Sequence, residues 1–185
     1  MSIELDGNAI ALGRGALHAL RDVLLRDLGD QAPQRLQEAG QAGGADLYTC
    51  FQRWLSATAG VDDPGEIDAA ALARVLSEFF QALGWGPVAI EALGQGVLAL
   101  DSEQWAEADP QTQAPYPACF LSTGVLTDFI GRLANRPVSV MEVECRSASH
   151  PRCRFLVAAP ETLETIYRAI SEGKDYRSAI PSPVP

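Results

Sequence analysis

Cys119, Cys145 and Cys153 impose the tightest condition on how this chain can fold. Each stands at the edge of a different expected element: Cys119 before an apolar helical stretch, Cys145 at the end of a strand, Cys153 at the start of the next. The seven residues between Cys145 and Cys153 let a strand turn and come back, so those two thiols can face one point. Cys119 must then arrive from an earlier segment. Thiolates and carboxylates are among the ligands that a tetrahedral zinc ion takes. Glu142, Glu144 and His150 are further donors close by in sequence. Strand alternation puts Cys145 on one face and Glu142 and Glu144 on the other. Glu142 and Cys145 therefore share an ion only if the strand bulges or ends between them. No tight Cys-x-x-Cys pair is present, so spacing alone leaves zinc ligands and inert buried thiols equally open.

The remaining pattern predicts an α+β fold. Helices are expected over 12–29, with Leu17, Leu20, Leu24 and Leu28 on one stripe, over 31–40, and over 44–57. Residues 59–65 read as a loop. Asp68 is placed to cap a helix whose inward stripe is Leu72, Val75, Leu76, Phe79, Phe80 and Leu83. Residues 88–93 and 97–100 read as a hairpin around Gly94-Gln95-Gly96, and 101–116 as a long polar loop. A helix from Cys119 to about Asn135, a strand over 137–145, its return over 152–158 and a helix from Pro160 complete the order. Strands in hairpin-like pairs favour an antiparallel sheet of about four strands packed against helices over a parallel sheet. Residues 1–180 are expected to form one domain, and 181–185 a disordered tail.

Composition removes several function classes. A net charge of −10 argues against a nucleic-acid backbone as partner, which calls for a basic face. The apolar runs are too short to span a bilayer. Met1 to Asp6 show no basic region leading into an apolar run, so no secretory signal is expected. The compartment expected is the cytoplasm, where disulfides are rare. There is no phosphate-binding loop, dinucleotide fingerprint or Ser/His/Asp arrangement, which leans the reading away from an enzyme. Cys50 reads as a core thiol, and His18, among leucines, as a hydrogen-bonded histidine of the partial core. The candidates for an apolar ligand pocket are Trp54, Phe79, Trp85, Trp105, Tyr116 and Phe120. Trp105 is the most telling of these, because a large ring in a polar loop needs something to cover.

The segment from Pro117-Ala118-Cys119 through Gly124, Arg136-Pro137-Val138 and Glu142-Val143-Glu144-Cys145 to Cys153-Arg154-Phe155 resembles the 4-vinyl reductase domain family. Arg35-Leu36-Gln37-Glu38-Ala39-Gly40, Gly43-Gly44 and Leu83-Gly84-Trp85-Gly86 extend the likeness over roughly residues 12–172. The resemblance implies the fold of the vesicle-tethering subunits, a homodimer, and a zinc ion held by Cys119, Glu142, Cys145 and Cys153, as in aromatic-sensing members. Four protein ligands make such an ion structural rather than catalytic. The helix start at Cys119 is expected to favour its thiolate, and Arg146, Arg152 and Arg154 to offset the excess negative charge. Three functions follow from the resemblance. The first is a module binding a small hydrophobic or aromatic molecule, as sensor or carrier. The second is an accessory to bacteriochlorophyll or tetrapyrrole synthesis. The third is a scaffold of the vesicle-tethering type.

Overall fold

The computed structural model describes residues 10–182. Five helices and four strands follow one another as α1 (Arg14–Leu28), α2 (Ala32–Ala59), α3 (Ala69–Ala82), β1 (Ala89–Gly94), β2 (Val97–Ser102), α4 (Phe120–Leu133), β3 (Ser139–Glu144), β4 (Cys153–Ala158) and α5 (Pro160–Ser171). The sheet is antiparallel throughout, in the order β1-β2-β4-β3. This is the α+β architecture that the paired strands predict. Asp68 caps α3 as expected, its Oδ1 accepting from the Ala70 and Ala71 N–H groups at 3.0 and 2.9 Å.

The sheet buries both faces. On one, Leu100, Val140, Phe155 and Val157 meet Phe51, Trp54, Val75, Leu76, Phe79, Phe80 and Phe129 from α2, α3 and α4. The rings meet mostly edge to face, at centroid separations of 5.1 Å for Phe51–Phe79 and 5.6 Å for Phe80–Phe129, the geometry that the ring quadrupole favours. On the other face, Val97, Ala99, Leu156 and Ala158 pack against Leu163 and Ile166 of α5 and against Tyr176. Alternation along β4 divides the work: Cys153, Phe155 and Val157 face the large core, while Leu156 and Ala158 face α5.

The helices expected over 31–40 and 44–57 are one continuous helix, α2. Gly40 and Gly44, at the expected break, are places where α4 comes close. A Cβ on Gly40 would collide with the Leu121 carbonyl and stand 2.9 Å from Val125 N. A Cβ on Gly124 of α4 would collide with the Gln37 carbonyl and stand 2.8 Å from Gln41 N. The two backbones touch here, and packing outweighs the poor helix propensity of glycine.

Helix α1 also differs from expectation. Leu17 is buried, but Leu20 is 50% and Leu28 41% exposed, and the other buried residue is Arg21. The helix docks through a polar stripe at positions 14, 18 and 21. Arg14 Nη2 donates to Gly84 O at 2.9 Å, His18 Nε2 stands 2.8 Å from Ala106 O, and Arg21 Nη1 donates to Glu107 O at 2.7 Å. His18 is thus hydrogen-bonded as its sequence context implied. At the other end of the chain, Gln95 N donates to Pro181 O at 3.1 Å, which ties the first residue of the expected tail to the β1–β2 turn. Residues 183–185 of that tail, like Met1 to Asp6, lie outside the described residues.

Candidate metal centre

The donor set assembles where α4 begins, β3 ends and β4 starts. β3 and β4 pair in register from Ser139–Ala158 to Glu142–Phe155, and then Glu144 faces Arg154. One extra residue in β3 is a bulge at Val143, and it flips the alternation. Glu142 stays on the large-core side, Glu144 turns to the α5 side, and Cys145 returns to the side of Cys153. The irregularity that Glu142 and Cys145 require is present.

One ligand atom from each of Cys119, Glu142, Cys145 and Cys153 lies within 4.8 Å of every other, and all four residues are buried. The sulfurs of Cys119 and Cys145 are 3.7 Å apart, and those of Cys119 and Cys153 4.0 Å. Sulfurs held about 2.3 Å from a tetrahedral ion stand about 3.8 Å apart, so the spacing suits a shared cation. No disulfide joins these three thiols. Glu142 Oε2 accepts from Cys119 N–H at 2.9 Å, while Glu142 Oε1 is buried without a hydrogen-bond partner. A buried carboxylate oxygen left unpaired beside three sulfurs is what a cation-binding site looks like without its cation.

The rival donors are engaged elsewhere. Glu144 accepts from the Tyr176 hydroxyl at 2.6 Å, from Arg177 at 2.8 Å and from Arg152 at 3.0 Å. His150 Nδ1 lies 3.2 Å from both the N and the O of Cys145, turned to the backbone.

Electrostatically the cluster lacks positive charge. Burial and the neighbouring Cys145 push the Glu142 carboxyl up to about 9. Burial and contact with the other thiols push Cys119 up as well. This reverses the expectation of a Cys119 thiolate at a helix start. The thiol is fully enclosed, and the first N–H groups of α4 are already bonded to another carboxylate. Cys145 is held low instead, because Cys119 and Cys153 donate to it and the Ala118 backbone adds a further hydrogen bond. A divalent cation would relieve this crowding by letting all four donors ionise together.

Arg152 and Arg154 do not supply the compensating charge expected of them. Arg154 alternates away from Cys153 onto the α5 side, where Nη2 pairs with Asp101 at 2.6 Å and Glu91 at 2.7 Å. Arg152 pairs with Glu144 and Asp101.

Sequence reasoning missed Glu107, Ser122 and Arg21. Glu107 is fully buried, with its carboxylate against the first turn of α4. Burial pushes it up to about 7, against the hydrogen bonds from Ser122 and Leu121. One signal pointed to it: Pro117-Ala118-Cys119 opens a helix without a Ser, Thr, Asp or Asn cap, so acceptors must come from elsewhere.

The six aromatic pocket candidates are dispersed. Trp54, Phe79 and Trp105 are buried in the large core, and Trp105 packs on Phe80, Trp85 and Phe155 with Nε1 donating to Ser122 Oγ at 2.7 Å. Trp85 lines a cleft of about 530 Å³ whose walls are Leu17 of α1, Gly43, Leu47 and Cys50 of α2, Leu83, Ala106, and Leu121 and Val125 of α4. Cys50, expected in the core, is half-buried on this cleft. Phe120 lines a second groove of about 400 Å³ beside Cys119, Glu142, Met141, Leu163 and Tyr167. Tyr116 is 51% exposed, its ring 6.3 Å from that of Phe120.

Comparison with known proteins agrees with this geometry. The sequence has no significant match among curated proteins. The fold is similar to the phenol-responsive sensory domain of the transcription activator PoxR, solved with phenol (20% identity, 90% of this chain and 84% of that one, TM-score 0.64). It is also similar to a trafficking protein particle complex subunit 3 from Naegleria fowleri covalently bound to palmitic acid (16% identity, 78% and 91%, TM-score 0.59). A vinyl-4-reductase family protein from Methanocaldococcus jannaschii shares it too (14% identity, 80% and 82%, TM-score 0.52). Residues 103–159, which contain all three clustered cysteines and Glu142, match the 4-vinyl reductase domain and place this part of the chain in that family.

Proposed function

We propose that this chain is a small-molecule-binding module, a sensor or carrier of an apolar or aromatic ligand, whose helix–sheet junction is fastened by a structural zinc ion. Cys119, Glu142, Cys145 and Cys153 would hold the ion. The observation that carries the reading is the convergence of four buried donor atoms with one carboxylate oxygen unpaired. Zinc would supply a cross-link between the start of α4 and the β3–β4 turn and would neutralise the crowded donors. Four protein donors leave a tetrahedral ion no position for water, which argues for a structural part.

The 530 Å³ cleft is the ligand site in this reading. Its size and its leucine, valine and tryptophan walls suit a small apolar molecule. Two relatives of the same fold were solved with apolar ligands, phenol in one and palmitic acid in the other, which supports this use of the scaffold. Metal analysis of protein purified under reducing, metal-replete conditions tests the first half, with zinc in near-equimolar amount expected and its absence decisive against the reading. Native mass spectrometry of the same material tests the second. A bound small molecule is expected, and visible absorption would identify it as a tetrapyrrole.

Self-association is a second element of the proposal. Leu20, Val23 and Leu28 project from α1 at 50%, 41% and 41% exposure, an apolar set that a second copy of this chain would cover. A dimer mass by light scattering is expected, and a strictly monomeric one removes this element.

A further inference from the structure

Helix α4 begins without a cap of its own. Cys119 occupies the N-cap position, and its sulfur faces the other thiols rather than the helix's first N–H groups. Those donors need acceptors when they are buried. They find them in Glu107, fifteen residues back from Ser122 and fully buried. Its Oε1 accepts from Leu121 N–H at 3.0 Å, and its Oε2 from Ser122 N–H at 2.7 Å and from the Ser122 hydroxyl. The Ser122 oxygen accepts in turn from Trp105 Nε1 at 2.7 Å, which completes a chain from indole to hydroxyl to carboxylate. The loop that carries Glu107 is anchored on both sides. Arg21 bonds Glu107 O at 2.7 Å and Thr112 Oγ1 at 3.2 Å, and Asp109 N donates to Ser147 Oγ at 2.8 Å.

Burying a carboxylate is unfavourable unless donors and a positive field meet it, and the start of α4 provides both. An Asp or Ser at position 119 would cap the helix at far lower cost. The remote cap makes sense because residue 119 has another task. We propose that Glu107 is a positioning residue for the metal centre: its carboxylate fixes the first turn of α4 and thereby the direction in which Cys119 presents its sulfur. Glu142 holds Cys119 N–H at 2.9 Å from the opposite side. The two carboxylates clamp three backbone N–H groups within four residues, so the sulfur is aimed before any ion arrives. Metal sites depend on such outer partners for about 10–100-fold in affinity. The proposal rests on the metal reading above.

The test is titration of the purified, reduced chain with Co²⁺, whose thiolate-to-metal charge-transfer band reports the sulfur ligands directly. Glu107→Gln keeps shape and volume but replaces one acceptor oxygen with an amide that cannot accept. The expected result is Co²⁺ binding weaker by about 10–100-fold, with an altered charge-transfer band. Asp68→Ala is the control. It removes the cap of α3, which touches no candidate ligand, and Co²⁺ affinity is expected to stay within about twofold. If Glu107→Gln does not fold, Ser122→Ala serves, since it cuts the hydroxyl link alone and is expected to weaken binding by about fivefold. Wild-type affinity and an unchanged band in the folded variants, or an equal loss in Asp68→Ala, would overturn the assignment. A wild-type chain that takes up no Co²⁺ would refute the metal reading itself, and the assignment with it.

Discussion

Gly124→Ala puts the contact between α2 and α4 to a quantitative test. The added Cβ would meet the Gln37 carbonyl oxygen, Gln41 N at 2.8 Å and Gln37 C at 2.9 Å. All three are backbone atoms of a helix, so none can rotate aside. Restoring ordinary contact of about 3.5 Å requires the helices to part by most of an ångström. A gap of about 0.5–1 Å forfeits a quarter to a half of the dispersion energy of each contact along the seam. Overpacking of this kind costs about 1–3 kcal/mol, and rigid backbone on both sides argues for the upper end. Against this, alanine gains about 1 kcal/mol over glycine in a helix interior. The net is a loss of about 2 kcal/mol, or a melting temperature lower by about 4–8 °C in a chain of this length. Gly43→Ala provides the opposite sign within α2 itself. Its Cβ meets nothing within 4 Å, so the propensity gain stands alone and the melting temperature is expected to rise by about 2–4 °C. Thermal unfolding followed by circular dichroism, with metal content measured in parallel, reads both. A Gly124→Ala chain that melts at or above the wild type would refute the close-contact reasoning, as would a Gly43→Ala chain that falls as far.

Cys145→Ser and Cys153→Ser are expected to weaken metal binding beyond about 100-fold, the upper range for outer partners, while Cys50→Ser leaves metal content unchanged; elemental analysis of the three variants decides it. Arg154→Met removes the guanidinium from Asp101 and Glu91 beneath Tyr176 and is expected to lower unfolding free energy by about 3 kcal/mol, measured by urea denaturation; a loss under about 1 kcal/mol would mean that the carboxylates are solvated instead. Glu107 gives a pH signature. Its folded value of about 7 lies above the ordinary 4.5, so the folded state holds the proton more tightly. The stabilising contribution is complete below pH 4.5 and is lost as pH rises through 7, a change of up to about 3 kcal/mol. In metal-free protein, Glu107→Gln will therefore flatten the fall in stability between about pH 5 and 8; parallel profiles for the two chains would contradict that ionisation.

Local periodicity carried much of the fold. The Leu72-to-Leu83 stripe, the Asp68 cap, the hairpin around Gly94-Gln95-Gly96 and the β3–β4 return are near-neighbour properties, and each is present where the residues imply it. The three cysteines announced a meeting point, because residue types with metal chemistry at element edges are visible in one dimension. What a one-dimensional pattern does not contain is direction. Leu20 and Leu28 lie on an apolar stripe, yet α1 docks through Arg14, His18 and Arg21, because the acceptors that it meets are carbonyls of distant loops. Gly40 and Gly124 look like helix breakers until two backbones are brought into contact. Glu142 and Glu144 are indistinguishable as donors until the bulge at Val143 sends one toward the thiols and the other toward Tyr176 and Arg177. The chain order thus determined which elements form and which side chains could hold a cation. Tertiary packing decided which face each side chain serves and which buried carboxylate is left with an unpaired oxygen, because both depend on partners far away in sequence.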